Sequence, residues 1–271
     1  MTNILISNDD GVYASGILAA KHAVEDLGDV TIVAPSNQQS GIGRALTLFE
    51  PLRINSLNLS DGTPAYSVSG TPTDAITLGI FELLNEKPDL VISGINVGHN
   101  TGKGELTTSG TIGAAMEAAA LGVPSIAVSQ EVLSGTMKFE RNVELDYSIT
   151  EKLLYEISEK VLKKGLPKGI DLLNLNVPSK PSSEEIILTR LGERMYIPQI
   201  DVRSDPRGKP YYWIDGLPYQ GEEEGTDGYT LKILNAPTLT PLKIDCTADL
   251  KSLEDWWNFK FNNKNWINFL K

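Results

Sequence analysis

The sequence predicts an α/β fold in which a mostly parallel sheet is flanked by helices. In the first half of the chain, short apolar runs alternate with segments whose apolar residues recur at helical spacing, a pattern typical of repeated β-α-β units. Residues 89–95 are almost continuously apolar, as expected for a central strand buried on both faces. With 271 residues, the chain is long enough for one large domain and an additional segment.

A first β-α-β unit begins the chain. Its predicted strand, helix and strand occupy residues 3–7, 15–27 and 30–34. The helix carries Ile17, Leu18 and Val24 at helical spacing, and Gly28 ends it.

The next segments alternate like strands and then change to a helix. The alternating segments are residues 44–49, 52–59 and 65–69. Thr71 is predicted as the N-cap of the helix, with Pro72 at the first helical position and Asp74 near the positive end of the helix dipole. We expect this helix to continue to about Leu84.

The second half begins as a continuation of the α/β pattern. After the central strand we predict a long Gly/Asn/Thr loop at 96–108, helices at 109–121 and 144–164, and strands at 125–129 and 172–177. After Pro178 the proline, glycine and aromatic content rises, which places a boundary near residue 180. The strand signals at 186–190 and 211–214 are interpreted as hairpin arms outside the main sheet.

The end of the chain is rich in aromatic residues. Three of the four tryptophans and three of the six phenylalanines follow residue 255: Trp256, Trp257, Trp266, Phe259, Phe261 and Phe269. So much apolar surface must be covered. The tail either packs on its own core or forms an arm on a second subunit.

Composition limits the classes of partner and location. The formal charge of −11 repels a polyanion such as duplex nucleic acid, so a small anionic substrate needs a local cation. No apolar stretch is long enough to cross a bilayer, and the first residues look like a strand and not like a secretory signal. The single cysteine, Cys246, agrees with a reducing compartment, so we expect a cytoplasmic protein without membrane or duplex partners.

Three polar clusters lie at the ends of predicted strands, where ligands bind in open α/β sheets. The clusters are residues 8–11, 35–43 and 96–108. Adjacent Asp9 and Asp10 repel each other unless they share a cation or a proton, and a divalent metal resolves this conflict. With the neutral oxygens of Ser40 and Asn96 they form a set that suits one Mg²⁺ or Mn²⁺ ion. Alternatively, the acidic pair forms an Asx turn that caps the following helix.

A phosphate site is predicted at Ser109, Gly110 and Thr111, where a helix follows a glycine-rich loop. Free backbone N–H groups and the helix dipole favour an anion at such a position. The alternative is that Ser109 or Thr111 only caps the helix. Asn8 and Gly41 adjoin the proposed metal ligands, and we expect them to contact the substrate too.

Other nucleotide and metal signatures do not fit. Residues 98–104 resemble a P-loop but have three residues between the glycines and no Ser or Thr after the lysine. Gly41 and Gly43 lack the third glycine of a dinucleotide fingerprint. The chain has two histidines, which makes a histidine-based metal cluster a poor interpretation.

Together these motifs resemble the SurE survival-protein nucleotidases over most of the chain. The matching stretches are 8–11 with 16–17, 33–35 with 39–41, 70–74, 93–100, 109–115, 124–127, 207–213, 226–227 and 240–242. The resemblance implies a Rossmann-like three-layer core and a divalent-metal phosphatase for 5′- and 3′-nucleotides. In that family the metal is held by residues that match Asp9, Asp10, Ser40 and Asn96.

The resemblance also implies an assembly. Family members form dimers with exchanged carboxy-terminal segments, which often pair into tetramers through hairpins. We therefore divide the chain into a catalytic core at 1–180 and an oligomerisation extension at 181–271 that is not expected to fold independently. The chain departs from the family pattern at Thr108, where many members have tyrosine, and at Lys103-Gly104-Glu105, where they have aspartates.

The leading functional hypothesis is a metal-dependent phosphatase acting on nucleoside monophosphates. Asp9 would orient or deprotonate the attacking water, and the donors at 109–111 would hold the phosphate. Two alternatives remain: a phosphatase acting mainly on polyphosphate or other phosphate esters, and a non-catalytic module that binds nucleotides.

Overall fold

A computed structural model describes residues 2–132 and 145–257 of the chain. Nine strands in these ranges form one twisted sheet with the order β3-β4-β2-β1-β5-β6-β7-β11-β8. The strands are β1 (Asn3–Ser7), β2 (Asp29–Pro35), β3 (Ile54–Asn58), β4 (Pro64–Val68), β5 (Leu90–Val97), β6 (Ser125–Gln130), β7 (Leu172–Val177), β8 (Ile187–Leu188) and β11 (Thr238–Leu242). Pairing is parallel except between β3 and β4 and between β7 and β11. The predicted α/β class is confirmed.

Helices cover both faces of the sheet. They are α1 (Ser15–Val24), α2 (Pro72–Leu78), α3 (Lys103–Thr108), α4 (Gly110–Ala120), α5 (Ser148–Lys164), α6 (Asp227–Lys232) and α7 (Leu250–Trp257). Side chains of β1 alternate between two cores: Ile4 and Ile6 pack with α1 and α5, whereas Leu5 packs with α2 and α4. A strand with both faces buried consists mainly of apolar residues, which explains why β1 and β5 were recognisable in the sequence.

The start of α2 follows from its capping residues, as predicted. Thr71 accepts a hydrogen bond from the Asp74 N–H at 3.1 Å, and Asp74 Oδ2 accepts one from the Thr71 N–H at 2.9 Å. This reciprocal capping box satisfies two N–H groups that the helix cannot pair internally. The helix ends earlier than Leu84, because residues 79–83 form a π-helical turn.

Two predictions in the first half were wrong. Residues 44–49 are not a strand: the Thr47 N–H donates to Asp74 Oδ1 and Ala45 O accepts from Thr71 Oγ1, so these backbone groups serve the start of α2. Leu48 and Phe49 are exposed there. The predicted loop 96–108 contains α3, because the N–H groups at its start donate to carbonyls of residues 192 and 193.

Two helix bounds and the position of one strand also differ from the prediction. The first helix ends at Val24, and α5 begins at Ser148, whose N–H is bound by Asp146 Oδ1. The strand near residue 187 is not a hairpin arm. It lies at the edge of the main sheet, where Ile187 and Leu188 pair in parallel with β11.

Strands β9 (Tyr196–Ser204) and β10 (Pro210–Pro218) form a hairpin outside the main sheet, as the sequence predicted for residues 211–214. Helix α7 ends with Trp256 and Trp257, whose rings meet edge to face. The remaining tail aromatics, Phe259, Phe261, Trp266 and Phe269, lie outside the described residues. In the described ranges, the search for helices that are long and apolar enough to span a bilayer finds none.

Candidate functional site

The three polar clusters meet at one edge of the sheet. Strand β1 pairs in parallel with both β2 and β5, so the loops after these three strands leave the sheet side by side. Helix α1 approaches this edge closely: a Cβ added to Gly16 would lie 1.9 Å from the carbonyl oxygen of Ile95. Glycine is therefore required at this contact. In β5 the pairing with β6 shifts between Ser93 and Asn96, an irregularity of the kind that often lies beside active sites.

Asp9 is the deepest acidic group of the site, with 5% of its surface exposed. Its Oδ1 accepts a 2.6 Å hydrogen bond from Thr111 Oγ1 in the first turn of α4. A Cβ added to Gly110 would lie 2.7 Å from Asp9 Cβ and 2.9 Å from Asp9 Oδ2. The first strand and the start of α4 are thus in direct contact through this carboxylate.

Asp10 connects the other two loops. Its Oδ2 accepts a hydrogen bond from the Val97 N–H at 3.0 Å, and its Oδ1 accepts one from Gln38 Nε2 at 3.3 Å. The same Gln38 nitrogen donates to Ser40 Oγ at 3.1 Å. The Asp10 and Ser40 oxygens are therefore no farther apart than these two bonds laid end to end.

Asn96 precedes the residue that binds Asp10 and is itself buried, with 5% of its surface exposed. Its Nδ2 donates to the carbonyl of Gly98 at 2.6 Å, which leaves the carboxamide oxygen as its ligand atom. Among the four predicted metal ligands, Gln38 joins Asp10 to Ser40, and Asp10 binds the N–H of Val97, the residue after Asn96. Asp9 is the chain neighbour of Asp10.

The predicted substrate contacts differ in their surroundings. Asn8 is buried and uses both ends of its side-chain amide to close a turn with the backbone of Gly11. Gly41 is exposed with a φ of 74° and has open space around it. Ser109 is the N-cap of α4 and accepts from the Ile112 N–H at 3.2 Å. Ser109 therefore caps α4, as the alternative interpretation proposed. The N–H groups of Gly110 and Thr111, in the first turn, have no acceptor within the helix.

The chemistry of these donors fits a hard divalent cation. All four candidate ligands offer oxygen, and two carboxylates balance the charge of a 2+ ion. No group of three or more His, Cys, Asp or Glu side chains that could hold a metal occurs within residues 2–132 and 145–257. Any cation at this edge would therefore need the neutral oxygens as well as the acidic pair.

Two residues of the site were missed by sequence reasoning. Gln38 lies inside the cluster 35–43, where its amide was overlooked in favour of the Ser40 hydroxyl. Tyr147 is the residue directly before α5, and no local motif indicates its role. Its hydroxyl is 3.2 Å from Ser15 Oγ; burial, with a smaller contribution from the charge of Asp10, raises the pKa of this phenol above its usual value.

Comparisons with known proteins find one family. The family model described as "Survival protein SurE" matches residues 4–198. A protein named "5′-nucleotidase SurE" from Methanobrevibacter smithii is 60% identical over 253 residues, covering 93% of this chain and 98% of the relative. A protein of the same name from Methanothermobacter thermautotrophicus is 63% identical over 216 residues, covering 79% of this chain and 82% of the relative.

A solved structure supports the same relationship. The crystal structure of SurE protein from Aquifex aeolicus matches with a TM-score of 0.76 and 36% sequence identity. The match covers 94% of this chain and 99% of that one. The similarity therefore extends through the extension as well as the core.

Proposed function

The chain belongs to the SurE family, and from this premise we propose that it hydrolyses nucleoside 5′- and 3′-monophosphates with one bound Mg²⁺ or Mn²⁺ ion per subunit. It is a phosphoric monoester hydrolase, the class of enzyme to which the names of its relatives point. The metal, the activity on 3′-nucleotides and the roles of individual residues are the proposed parts.

The observation that carries the proposal is the contact between Asp9 and the start of α4. The first-turn N–H groups of α4 and its dipole favour a phosphate at Gly110 and Thr111. Asp9 lies against the same turn, with Thr111 Oγ1 2.6 Å from its Oδ1. A phosphate bound by these N–H groups would lie near the Asp9 carboxylate, and the two negative charges would repel each other in a partly buried site. A divalent cation would offset this repulsion, and Asp9, Asp10, Ser40 and Asn96 would hold it through their oxygens.

The protein groups have separate roles in hydrolysis. The N–H groups of Gly110 and Thr111 donate to the phosphate oxygens and orient the phosphorus for attack. Thr111 fixes the Asp9 carboxylate through its Oδ1, and Asp9 orients or deprotonates the attacking water. Asn8 holds the Asp9-Asp10 turn in place through Gly11. When bound, the divalent ion supplies Lewis-acid stabilisation of the phosphoryl group and lowers the pKa of a water molecule.

A phosphate-release assay tests the proposal. AMP and GMP, as 5′- and 3′-monophosphates, are incubated with the protein and Mn²⁺, with Mg²⁺ or with excess chelator. We expect release of inorganic phosphate with added metal and its loss with chelator. Undiminished release in excess chelator would refute the metal dependence.

Substitutions at the acidic pair test the site. Asp9→Asn and Asp10→Asn should each lose most turnover while the fold is retained, because both remove a charged oxygen ligand. Asp61→Asn is the control, since Asp61 is an exposed aspartate whose carboxylate is bound by Thr63 in its own loop. Full activity in both site variants would show that the chemistry lies elsewhere.

The alternatives give different results in the same assay. A phosphatase with other physiological substrates would turn over polyphosphate or sugar phosphates faster than any mononucleotide. A binding module would bind AMP tightly and release no phosphate. A panel of phosphate esters at equal concentration therefore separates the three hypotheses.

We also propose that the enzyme is a cytoplasmic homodimer or homotetramer with exchanged C-terminal arms. The support is apolar surface in the extension: Trp256 is 78% and Trp257 is 67% exposed in α7, and Ile214 is 84% exposed in β10. A two-stranded hairpin is marginally stable alone, so a second copy of the chain is a suitable cover for it.

A further inference from the structure

A short helix separates the phosphate turn from the loop that follows β5. Helix α3 ends at Thr108, directly before Ser109, so its position determines where α4 begins. It also reaches the loop after β2, because the carbonyl of Thr108 accepts a 2.8 Å hydrogen bond from the Gly43 N–H. A displacement of α3 would therefore move the proposed phosphate donors and disturb the loop that carries Ser40.

Hydrophobic burial does little to hold α3 in place. None of its six residues is buried, and Leu106 packs only partly against the core. Six residues are also too few for a stable helix on local propensity alone, particularly with a glycine among them. The position of α3 must then depend on polar contacts with the segment at 192–195, which leads into β9.

These contacts join the first turn of α3 to that segment. The Lys103 N–H donates to Gly192 O at 3.0 Å, and the Gly104 N–H donates to Glu193 O at 3.1 Å. In return, the Met195 N–H donates to Glu105 Oε2 at 2.9 Å.

Asp227, the first residue of α6, joins the start of α3 to the segment at 192–195. It is fully buried, and its Oδ2 accepts from the Gly102 N–H at 2.9 Å, immediately before α3. Its Oδ1 accepts from the N–H groups of Gly192 at 2.7 Å and Gly228 at 2.8 Å. One carboxylate thus joins the start of α3, the segment that supports it and α6. A buried carboxylate that lost these hydrogen-bond donors would cost a large free energy. The three segments are therefore held in one arrangement.

We propose that Asp227 is a positioning residue for the phosphate site, acting through α3 on Ser109, Gly110 and Thr111. The inference rests on the proposed function, because it assumes that this turn holds the substrate phosphate. Asp227 itself touches no substrate. Its role is to keep the donor N–H groups at the distance that Asp9 and the bound cation require.

The test is the Asp227→Asn variant. The new NH₂ group would face at least one backbone N–H, so the link between Gly102 and Gly192 is broken while the side-chain volume is kept. We expect KM for AMP and the inhibition constant for inorganic phosphate each to rise about tenfold, because misplaced N–H groups make weaker hydrogen bonds to the phosphate of either ligand. Affinity for Mn²⁺, measured by calorimetry without nucleotide, should fall by a smaller factor than affinity for phosphate, because Asp10 keeps its contacts with Val97 and Gln38.

Two further variants make the result decisive. Asp171→Asn is the matched control: Asp171 Oδ2 accepts from the Ile244 N–H at 2.7 Å at the opposite, amino-terminal edge of the sheet, so phosphate affinity should not change. Glu105→Gln weakens the second carboxylate contact of α3 and should raise the same two constants about threefold. It carries the test if Asp227→Asn does not fold.

The outcomes separate the two proposals. Absence of phosphate release by the unmodified enzyme would refute the proposed function. A folded, active Asp227→Asn enzyme with unchanged KM and phosphate inhibition would overturn the positioning role and leave the function standing. A fall in kcat with both constants unchanged would also overturn it, since it would indicate a general structural effect.

Discussion

Thr111 donates a 2.6 Å hydrogen bond from its Oγ1 to Oδ1 of Asp9. The two residues are far apart in the sequence, one after the first strand and the other in the first turn of α4. The bond orients the carboxylate so that Oδ1 contacts Thr111 and Oδ2 faces Gly110. The orientation of the proposed catalytic aspartate therefore depends on a helix that the same phosphate would use.

Replacing Thr111 by valine should lower activity about 10- to 100-fold, the usual cost of losing a partner that orients a metal ligand. Valine keeps the shape of threonine but cannot donate to Asp9. Steady-state phosphate release from AMP, with thermal unfolding recorded for each variant, measures the effect.

Thr73→Val is the matched control for this change. Thr73 is also fully buried, but its Oγ1 has no hydrogen-bond partner among the described residues. Exchanging an unpaired buried hydroxyl for a methyl group should leave stability equal or slightly higher and activity unchanged. Equal activity in both variants would contradict the orienting role of Thr111.

The sequence was sufficient for the elements whose own residues determine them. Strands β1 and β7 have the predicted bounds, because Asn8 ends the apolar run of β1 and Pro178 directly follows the leucine-rich segment of β7. Helix α3 could not be predicted, since Gly104 and the two threonines at its end favour other conformations and the helix depends on distant carbonyls. For residues 44–49 a strand was predicted that does not form. Their alternation is typical of a strand, but their backbone groups bind the start of α2.

The residues of the candidate site also fall into two groups: those that the sequence indicates and those that are recognised only from their contacts. Asp9 and Asp10 were proposed as ligands because they come just after β1, and Asn96 because it lies near the carboxyl end of β5, where the strand ends of a parallel sheet converge. Gln38 became visible only from its two contacts. Asp227 lies in one of the stretches that resemble the family, but its role became visible only from the segments that its carboxylate joins. Residues that act through another part of the chain leave no local pattern.

Gln38→Leu should weaken Mn²⁺ binding by roughly two- to tenfold, because its amide holds the Asp10 carboxylate and the Ser40 hydroxyl in one arrangement. Calorimetric titration with Mn²⁺ measures the change directly. Asn37→Leu is the neighbouring control: its amide is likewise exposed but donates to Ser36 and to neither candidate ligand. Equal affinities in the two variants would rule out this role for Gln38.

Stability should depend on pH through Glu131, at the end of β6. Burial raises the pKa of Glu131 above its ordinary value of 4.5, although the Ser179 N–H and the charge of Lys232 act in the other direction. The folded protein then binds this proton more tightly than the unfolded chain does. The associated stabilisation is complete below the unfolded pKa and is lost as pH rises through the folded pKa.

The comparison of wild type with Glu131→Gln isolates this effect, because glutamine does not titrate. The free energy of unfolding of the wild type should fall relative to that of the variant as pH rises above about 4.5. Urea unfolding at a series of pH values from acid to neutral provides the measurement. A difference that stays constant, or that grows in favour of the wild type, would show that the carboxyl is not buried in the folded enzyme.

The hairpin of β9 and β10 provides a test of assembly, because its two faces differ. On one face Ile200 pairs with Ile214 and Val202 with Tyr212, and all four side chains are more than half exposed. The opposite face is mixed and is called the polar face because it carries Asp201, Arg203 and Asp215, although Trp213 is exposed on it as well. Gln199 lies on this face opposite Asp215.

Ile214→Lys should therefore shift the enzyme to smaller species in sedimentation velocity, since a lysine on the apolar face would have to lose its hydration on association. Gln199→Lys, which adds the same charge on the polar face, should leave the distribution as in the wild type. If both variants sediment like the wild type, the apolar face is not the contact between copies. If the wild type is itself monomeric, the proposed dimer or tetramer is wrong.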